Sequence, residues 1–283
     1  KRQLKNNMLV DFTKMHGLGN DFVVIDAVTQ NIRVHRKMIQ QIADRHEGIG
    51  CDQILIIQPP SKPDIDFDYR IFNSNGAEVQ QCGNGARCIA RFIRDRKLSG
   101  KKTFRLKTIN RIISVSANKD GSLSVDMGHP SFDAQSIPFE TNHERDSHII
   151  ESTHGEVEIS LVSMGNPHAV IFTDNVLEAP VSSLGEELER HTRFPEKVNV
   201  GFVEVIDRHN IKLRVFERDV GETSACGSGA CAAAAAAIRK SLINQDVAVH
   251  LQGGKLHVSW KGEGFPLIMS GPAVTSFHGR IIV

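Results

Sequence analysis

Two short segments of the chain place a cysteine directly before a glycine-rich turn. They read CGNGARC at residues 82–88 and CGSGACA at residues 226–232. A run of strong helix formers follows each turn, so we expect Cys82 and Cys226 to stand at helix N-termini. Unpaired backbone N–H groups and the helix dipole favour negative charge there. Because the thiolate is the reactive form of cysteine, both residues are candidate acid/base groups.

The helix terminus is expected to contribute to ionising these thiols. It typically stabilises a negative charge by about 0.3–1 kcal/mol, and by about 2 kcal/mol at best, whereas half ionisation of an ordinary thiol at pH 7 needs roughly 2 kcal/mol. We therefore expect a neighbouring hydrogen bond or charge to help lower the thiol pKa. The glycines also let a ligand approach the backbone, so the same N–H groups could hold a carboxylate or a phosphate.

The two turns belong to a longer internal repeat. Residues 69–88 align without gaps to residues 213–232, and seven of the 20 positions are identical. GNDFVVI at 19–25 pairs with GNPHAVI at 165–171 in the same order. A repeat of this length indicates a duplicated domain rather than a solenoid. The identical pairs are Arg70/Arg214, Phe72/Phe216, Glu78/Glu222, Cys82/Cys226, Gly83/Gly227, Gly85/Gly229 and Ala86/Ala230.

The duplication suggests a specific chemistry. Two like domains facing each other across a cleft would bring one cysteine to each face of a substrate carbon. A thiolate removing a proton from one face, with a thiol returning a proton to the other, would invert a stereocentre. Repulsion between like charges favours one thiolate and one thiol over two thiolates. The pattern therefore points to a racemase or an epimerase.

Other interpretations of these cysteines remain open. Residues 227–232 fit the loose G-x-G-x-x-A dinucleotide pattern, although dinucleotide binding does not require the preceding cysteine. A redox dithiol would more naturally use C-x-x-C. Zinc needs clustered ligands, whereas the 13 histidines are scattered and HExxH is absent, so no metal site is expected. Both cysteines could also be purely structural residues at the start of a helix. A binding protein or a non-inverting isomerase that kept the fold but lost a catalytic thiol is a further alternative, although the presence of both cysteines argues against it.

Composition is typical of a globular protein, with 40% hydrophobic and 24% charged residues among 283. The net charge of +1 argues against nucleic acid or a membrane surface as a partner, and no apolar run is long enough for a membrane helix. Five cysteines with no visible export signal indicate free thiols and a cytoplasmic location. Of these, Cys51, Cys88 and Cys231 are expected to be small buried apolar residues. The basic segment 1–7 is expected to be a frayed terminus.

Hydrophobic periodicity predicts an α+β fold of two similar halves, rich in strands and poor in helices. Turn residues near 118–130 mark the expected boundary between the halves. The predicted helices are about 35–46, 84–97, 182–191 and 228–243. The predicted strands are 22–26, 53–58, 65–72, 103–108, 111–117, 156–163, 169–173, 198–206, 211–217, 247–251 and 255–260.

Six blocks in order resemble the diaminopimelate epimerase family. They are KMHGLGNDFVVID (14–26), GCDQ (50–53), NSNGAEVQQCGNGARC (73–88), SMGNPHAV (163–170), RFPEKVNVGF (193–202) and ERDVGETSACGSGACA (217–232). The resemblance implies an epimerase that needs no pyridoxal phosphate or other cofactor and interconverts LL- and meso-diaminopimelate. It also implies two pseudo-symmetric β-rich domains, each wrapped around a central helix. The first would comprise 1–126 completed by a returning strand at 272–283, and the second 127–271.

The resemblance also assigns roles to individual residues. Cys82 and Cys226 match the acid/base pair, and His168 and Glu217 match residues that tune the cysteine pKa values. Arg218 matches a residue that binds a substrate carboxylate, and Glu217 one near the α-ammonium. The remaining substrate contacts are Asn20, Gln53, Asn73, Gly83, Asn84, Asn166, Asn199, Gly227 and Ser228.

Most of these polar residues also have ordinary structural explanations. Asn in a Gly-Asn pair is common in turns, His168 could be a satisfied buried histidine, and Arg218 could form a surface ion pair with Asp219. Phe277 stands where the family has an aromatic residue near a proposed dimer contact, so a homodimer is possible. Another cofactor-independent racemase, such as one resembling proline racemase, would lack the Arg218 and Asn199 set.

Overall fold

The chain forms two compact units in a computed structural model that describes residues 8–79, 83–141 and 146–283. The first unit contains the described residues up to Val125 together with 272–283, and the second runs from Asp126 to Gly271. Both are rich in strands and contain few helices. The predicted α+β class is confirmed. Segment 1–7 and Cys82 lie outside the described residues.

The first unit contains nine strands and two helices within its described residues. The strands are β1 Leu9–Gly17, β2 Asn20–Asp26, β3 Gln53–Gln58, β4 Phe67–Asn73, β5 Glu78–Val79, β6 Thr103–Lys107, β7 Ile112–Ala117, β8 Leu123–Asp126 and the returning strand β18 Val274–Ile282. The helices are α1 Arg36–Ala43 and α2 Gly83–Asp95. Strand β8 ends on Asp126, where the second unit begins.

The second unit has a matching set of elements. Its strands are β9 His148–Ser152, β10 Gly155–Ser163, β11 Pro167–Phe172, β12 Asn199–Asp207, β13 Asn210–Glu217, β14 Gly221–Thr223, β15 Asp246–Leu251, β16 Gly254–Ser259 and β17 Ile268–Gly271. Its α-helices are α3 Val181–Glu189 and α4 Gly227–Arg239, and a short 3-10 turn covers Ala134–Ser136.

Strand pairing repeats from one unit to the other. In the first, β2 and β3 are parallel, β3 and β4 antiparallel, and β4 and β6 parallel. The second unit repeats these three pairings: β11 is parallel to β12, β12 is antiparallel to β13, and β13 is parallel to β15. The returning strand β18 lies antiparallel to β1 as β9 lies antiparallel to β10. The duplication seen in the sequence is therefore a duplication of the fold.

Each unit encloses one helix with its strands. Helix α2 contacts β1, β2, β3, β7 and β18, and α4 contacts β10 to β13, β15 and β16. Along α4, every residue from Ala230 to Ala237 is buried. A helix that is apolar on all sides is stable only inside a core, and alanine lets the strands approach its backbone closely. The central helix expected in each unit is confirmed.

A conserved ion pair of the repeat braces each unit beside its central helix. Arg70 on β4 binds Glu78 on β5 through two hydrogen bonds of 2.8 and 2.7 Å. Arg214 on β13 binds Glu222 on β14 in the same way, at 2.7 and 2.9 Å. Bidentate arginine–carboxylate pairs are the most geometrically demanding of ion pairs. They fix the short β-hairpins that lead into CGNGARC and CGSGACA.

Most predicted elements are confirmed within one to three residues, and β3 at 53–58 is matched at both ends. The sequence interpretation omitted β1, β5, β8, β9, β14 and β17. Strands β5 and β14 are only two and three residues long, too short to show a period. No helix within the described residues is long and apolar enough to cross a membrane.

Candidate active site

Cys226 caps the central helix of the second unit. It directly precedes α4, and its sulfur accepts a hydrogen bond from the backbone N–H of Gly229 at 3.4 Å. The residue has extended backbone geometry and is 4% exposed. The predicted position at a helix N-terminus is confirmed for this cysteine. In the first unit α2 begins at Gly83, and Cys82 itself lies outside the described residues.

The thiol of Cys226 is held in its protonated form. Burial raises its pKa well above the usual value, and the nearby charge of Glu217 raises it further. Hydrogen bonds from Ser228 and from the Gly229 N–H act in the opposite direction. The expected help from neighbouring hydrogen bonds is therefore present, but the neighbouring charge is negative and raises the pKa. The net shift of the Cys226 pKa is upward, because desolvation and this carboxylate outweigh the hydrogen bonds and the helix terminus. Cys226 is therefore suited to donate a proton.

Glu217 approaches Cys226 from the last position of β13. Its carboxylate accepts a hydrogen bond from the Thr223 hydroxyl on β14 and hydrogen-bonds with the Cys226 thiol. A hydrogen bond from the thiol favours the neutral form of the cysteine. In the first unit, the position aligned with Glu217 is Asn73, a neutral residue at the end of β4. The two units therefore place different charges at equivalent points.

A chain of side chains runs from a buried histidine to the Cys226 sulfur. His168 Nε2 lies 3.1 Å from Asn166 Oδ1, Asn166 Nδ2 lies 3.2 Å from Ser228 Oγ, and Ser228 Oγ lies 3.6 Å from Cys226 Sγ. The amide oxygen only accepts, so this assignment puts the imidazole proton on Nε2. The Ser228 hydroxyl is then directed toward the sulfur. Asn166, His168 and Ser228, which the sequence singled out, are thus brought together.

His168 is a neutral imidazole in this setting. Burial, followed by the charge of Arg218, lowers its pKa to about 3. It is 1% exposed and pairs in register with Asn199 across β11 and β12. Its described hydrogen bond goes to Asn166 and not to Cys226. The described side-chain connection between His168 and Cys226 therefore runs through Asn166 and Ser228.

Asn199 and Arg218 are joined at the same end of the sheet. Asn199 Nδ2 donates to the Pro167 carbonyl at 2.8 Å, and Asn199 Oδ1 accepts from the Arg218 backbone N–H at 3.0 Å. The Arg218 guanidinium donates to the Glu196 carbonyl at 3.0 Å. Asp219 forms its ion pair with Lys197, so the alternative of an Arg218–Asp219 surface pair is not what the structure contains.

The polar candidates of the first unit also gather at one edge. Gln53 opens β3, pairs in register with Asn73 on β4, and donates from Nε2 to Asn73 Oδ1 at 2.9 Å. The other side-chain atom, Gln53 Oε1, is buried and has no hydrogen-bond partner among the described residues. A buried acceptor without a partner is costly, and a donor from a bound ligand would satisfy it.

Asn84 lies next to this edge, in the first turn of α2. Its Oδ1 accepts a 2.8 Å hydrogen bond from the guanidinium of Arg87, which is fully buried and also donates to the Pro272 carbonyl at 3.2 Å. Gly17 packs closely against Asn84, because a Cβ atom built onto this glycine would lie 3.4 Å from the Asn84 Cβ. Gly17 in turn pairs with Asn20 in the sheet, which places Asn84 close to Asn20.

An ionic network that the sequence interpretation missed holds Asn20 and Gln53 in place. Asp21 follows Asn20 and Asp52 precedes Gln53, and each accepts the backbone N–H of the other, at 2.9 and 3.0 Å. Arg45 donates to both carboxylates, at 2.8 Å each. The sequence did carry a signal for this network, because GNDF places Asp21 after Asn20 and GCDQ places Asp52 before Gln53. Only the fold shows that the two acids meet.

Lys14 adds a second cation to this network. Its ammonium, 9% exposed as a residue, pairs with Asp21 and donates to the Gly50 carbonyl. Burial acts to raise the pKa of Asp21, but hydrogen bonds from Arg45 and Lys14 outweigh burial and hold it well below the usual value. The carboxylate form of Asp21 is therefore part of the folded structure.

The remaining three cysteines line the cores. Cys51, Cys88 and Cys231 are all buried, which confirms their expected burial. Burial raises the pKa of Cys51 to about 12. Within the part of the chain that the structure describes, no group of three His, Cys, Asp or Glu residues could hold a metal ion.

Solved structures share this arrangement of strands and central helices. A phenazine biosynthesis protein of the PhzF family from Bacillus anthracis superposes with a TM-score of 0.70 at 16% identity, covering 98% of this chain and all of that one. A hydroxyproline epimerase from Agrobacterium vitis superposes with a TM-score of 0.71 at 14% identity, covering 97% and 93%. The chain therefore has the two-unit fold found among these epimerases and PhzF proteins.

Sequence similarity is more specific than the fold. The family model described as diaminopimelate epimerase matches residues 12–132 and 160–276. The diaminopimelate epimerase of Ectopseudomonas mendocina is 51% identical over 274 residues, covering 97% of this chain and 99% of the relative. The chain belongs to the diaminopimelate epimerase family.

The Asp21 network predicts a pH-dependent contribution to stability. The folded pKa of Asp21 lies below the value of 3.8 for an ordinary carboxyl, so its contribution is present above about pH 4 and is lost as the pH falls. We expect Asp21→Asn to lower the free energy of unfolding by about 2 kcal/mol at pH 7. The difference from wild type should shrink below the ordinary pKa.

Urea unfolding between pH 7 and pH 3 measures this difference. Asp95→Asn is the matched control, because Asp95 forms an exposed pair with Arg91 on α2 and should cost less than about 0.5 kcal/mol at any pH. Equal destabilisation by Asp21→Asn at both pH values would contradict the assignment.

The Glu217 charge predicts the direction of a thiol titration. Glu217→Gln removes the charge that raises the Cys226 pKa, so Cys226 should react with iodoacetamide at lower pH than in wild type. Peptide mass spectrometry after timed alkylation locates the reaction at Cys226. Glu156→Gln, an exposed acid on β10, is the control and should leave the profile unchanged. An unshifted or upward-shifted Cys226 profile in Glu217→Gln would refute the coupling.

Proposed function

We propose that this chain interconverts LL- and meso-diaminopimelate by proton transfer at the α-carbon, with Cys82 and Cys226 acting on opposite faces. The observation that carries the proposal is the Cys226 thiol, which is buried, protonated and placed at the N-terminus of a central helix in a duplicated fold. Membership of the diaminopimelate epimerase family supplies the substrate. We infer that no pyridoxal phosphate takes part.

In one direction, the Cys82 thiolate takes the α-proton and becomes a thiol. The electron pair left on carbon is delocalised into the adjacent carboxylate. The Cys226 thiol then gives its proton to the opposite face and becomes a thiolate. The configuration is inverted, and the two cysteines have exchanged protonation states, as the reverse reaction requires.

The reacting carboxylate would be held at the starts of α2 and α4. Backbone N–H groups at Gly83–Asn84 and Gly227–Ser228 lie at the positive ends of these helices. Charge grows on the carboxylate as the α-proton leaves, so these donors stabilise the transition state more than the bound substrate. In the second unit, the backbone N–H groups that would bind the carboxylate and the Cys226 thiol that would donate the proton therefore lie at the same turn of α4.

The polar residues at the sheet edges would hold the remainder of the substrate. Arg218 offers guanidinium N–H groups to a second carboxylate, and Glu217 offers a carboxylate to the α-ammonium. Gln53 Oε1, which is buried and has no hydrogen-bond partner in the described part of the chain, is suited to accept from a substrate N–H. Asn20, Asn73, Asn166 and Asn199 complete the proposed set of substrate-binding residues.

The two-cysteine mechanism predicts the effect of removing either thiol. We expect Cys82→Ala and Cys226→Ala each to lower the epimerisation rate by at least about a hundredfold, the usual contribution of one acid or base. Proton NMR of LL-diaminopimelate in D₂O, with reduced protein and no added cofactor, follows loss of the α-proton signal and appearance of the meso isomer.

The control variants are Cys88→Ala and Cys231→Ala, which remove buried thiols at other positions of the same helices and should retain turnover. Substantial inversion by either Cys82→Ala or Cys226→Ala would refute the mechanism. If the α-proton of another amino acid exchanges but that of diaminopimelate does not, the two-thiol mechanism would stand and the proposed substrate would be wrong. No exchange with any amino acid by wild type would leave a binding protein.

Homodimerisation and a cytoplasmic location are separate proposals. The returning strand β18 exposes three apolar side chains, Val274, Phe277 and Ile282. Phe277 packs edge-on against Phe12 with ring centroids 6.0 Å apart, so it is a fixed aromatic surface of the kind found in interfaces. We expect sedimentation velocity to give a dimer mass and Phe277→Asp to give a monomer. A monomeric wild type would contradict the dimer.

A further inference from the structure

We propose that Glu189 is a positioning residue for Arg218, holding the turn that carries this arginine in the orientation needed to bind a substrate carboxylate. The inference rests on the proposed function, because it assigns Arg218 to the substrate. Glu189 is the last residue of α3 and is 2% exposed. It lay outside every motif that the sequence interpretation used.

The contact is made to the residue that follows Arg218. Glu189 Oε1 accepts the backbone N–H of Asp219 at 2.6 Å. Asp219 lies in the three-residue turn between β13 and β14, which is closed by a 3.1 Å hydrogen bond from the Val220 N–H to the Glu217 carbonyl. Because this turn starts at Arg218, fixing the next peptide fixes the direction in which the arginine leaves the backbone.

Two cations accompany the buried carboxylate. Arg190 Nε lies 3.5 Å from Glu189 Oε2, and Lys197 Nζ lies 4.0 Å from Glu189 Oε1. Lys197 also pairs with the Asp219 side chain. Asp219 and Lys197 both have left-handed backbones, with φ of 63° and 61°, although neither is glycine. Such conformations persist only where surrounding contacts hold them, and here the two residues hold each other and share Glu189.

Glu189 occupies a position that local stability does not favour. The C-terminus of a helix carries partial negative charge, so an acid at the end of α3 is unfavourable there. Burial adds the cost of removing a carboxylate from water. A buried acid at this position must therefore be compensated by the contacts that it makes. The shortest described contact of Glu189 is the hydrogen bond from the Asp219 backbone N–H.

Arg218 itself is fixed at two further points of the same region. Its backbone N–H donates to Asn199 Oδ1 and its guanidinium to the Glu196 carbonyl, each at 3.0 Å. Glu196 directly precedes Lys197. Glu189 therefore ties the turn at 218–219 to Lys197, the residue after the one whose carbonyl holds the Arg218 guanidinium.

The equivalent turn of the first unit is held differently. There the Asn75 carbonyl accepts from Arg36 Nε at 3.2 Å and from Gln40 Nε2 at 3.0 Å, both on α1. Helix α1 thus holds its turn by donating to a carbonyl, whereas α3 holds its turn by accepting an N–H. The acid is specific to the unit in which the turn begins with an arginine.

The test separates binding from turnover. Loss of the charge-assisted hydrogen bond in Glu189→Ala should raise KM for diaminopimelate by about tenfold or more, while kcat changes less than about threefold. Glu189→Gln keeps an acceptor oxygen but loses the charge, so KM should rise by an intermediate amount of about threefold. Both constants come from α-proton exchange in D₂O.

Two further variants make the test specific to Arg218. Glu186→Ala removes an exposed acid one turn away that pairs with the same Arg190 at 3.7 Å, and its KM should match wild type. In an Arg218→Ala background, adding Glu189→Ala should raise KM less than about twofold, because a positioning residue has nothing left to position.

Each outcome bears on the inference or on the proposed function separately. A wild-type protein inactive on diaminopimelate would refute the proposed function. With an active wild type, additive effects in the Arg218→Ala background, or a fall in kcat at constant KM, would overturn the role of Glu189. If Glu189→Ala does not fold, a KM of Glu189→Gln within twofold of wild type would overturn it.

Discussion

Enclosure of a helix on all sides is the constraint on which the rest of this structure depends. A helix inside a ring of strands has its N-terminus inside the protein as well, so the residue before its first turn is shielded from water. Alanine at 230 and at 232–237, with Cys231 between them, makes this possible in α4, because larger side chains would push the strands away. The buried, protonated Cys226 thiol is a direct consequence of that packing.

Duplication then supplies a second copy whose framework is retained and whose polar residues differ. The bidentate pairs Arg70–Glu78 and Arg214–Glu222 brace the same hairpin in both units. Yet Gln53 bonds to Asn73 in the first unit, whereas the second places a carboxylate, Glu217, at the position of Asn73. Equivalent positions with different charges are what a substrate would select if it presents different groups to the two units.

Elements with a run or a regular alternation of apolar residues could be predicted from the sequence. Elements that depend on contacts with other parts of the chain were missed. Strand β3 is a continuous apolar run and was located at both ends, whereas β5 has two residues, pairs with β4 and is braced by the hydrogen bonds from Arg70 to Glu78. The same limit applies to the site. The helix N-terminus at Cys226 follows from local pattern, but the sign of its pKa shift depends on burial and on Glu217, which only the folded chain brings together.

The raised pKa of Cys226 is compatible with a catalyst that must work in both directions. Even a weakly acidic thiol is a far stronger acid than an α-C–H group, so burial does not prevent Cys226 from protonating a carbanion. The reverse direction needs its thiolate, which the charge of Glu217 disfavours. If Glu217 pairs with the substrate α-ammonium as proposed, that ammonium offsets the charge when substrate binds. The thiolate then becomes accessible only in the complex, where a proton is available to be taken.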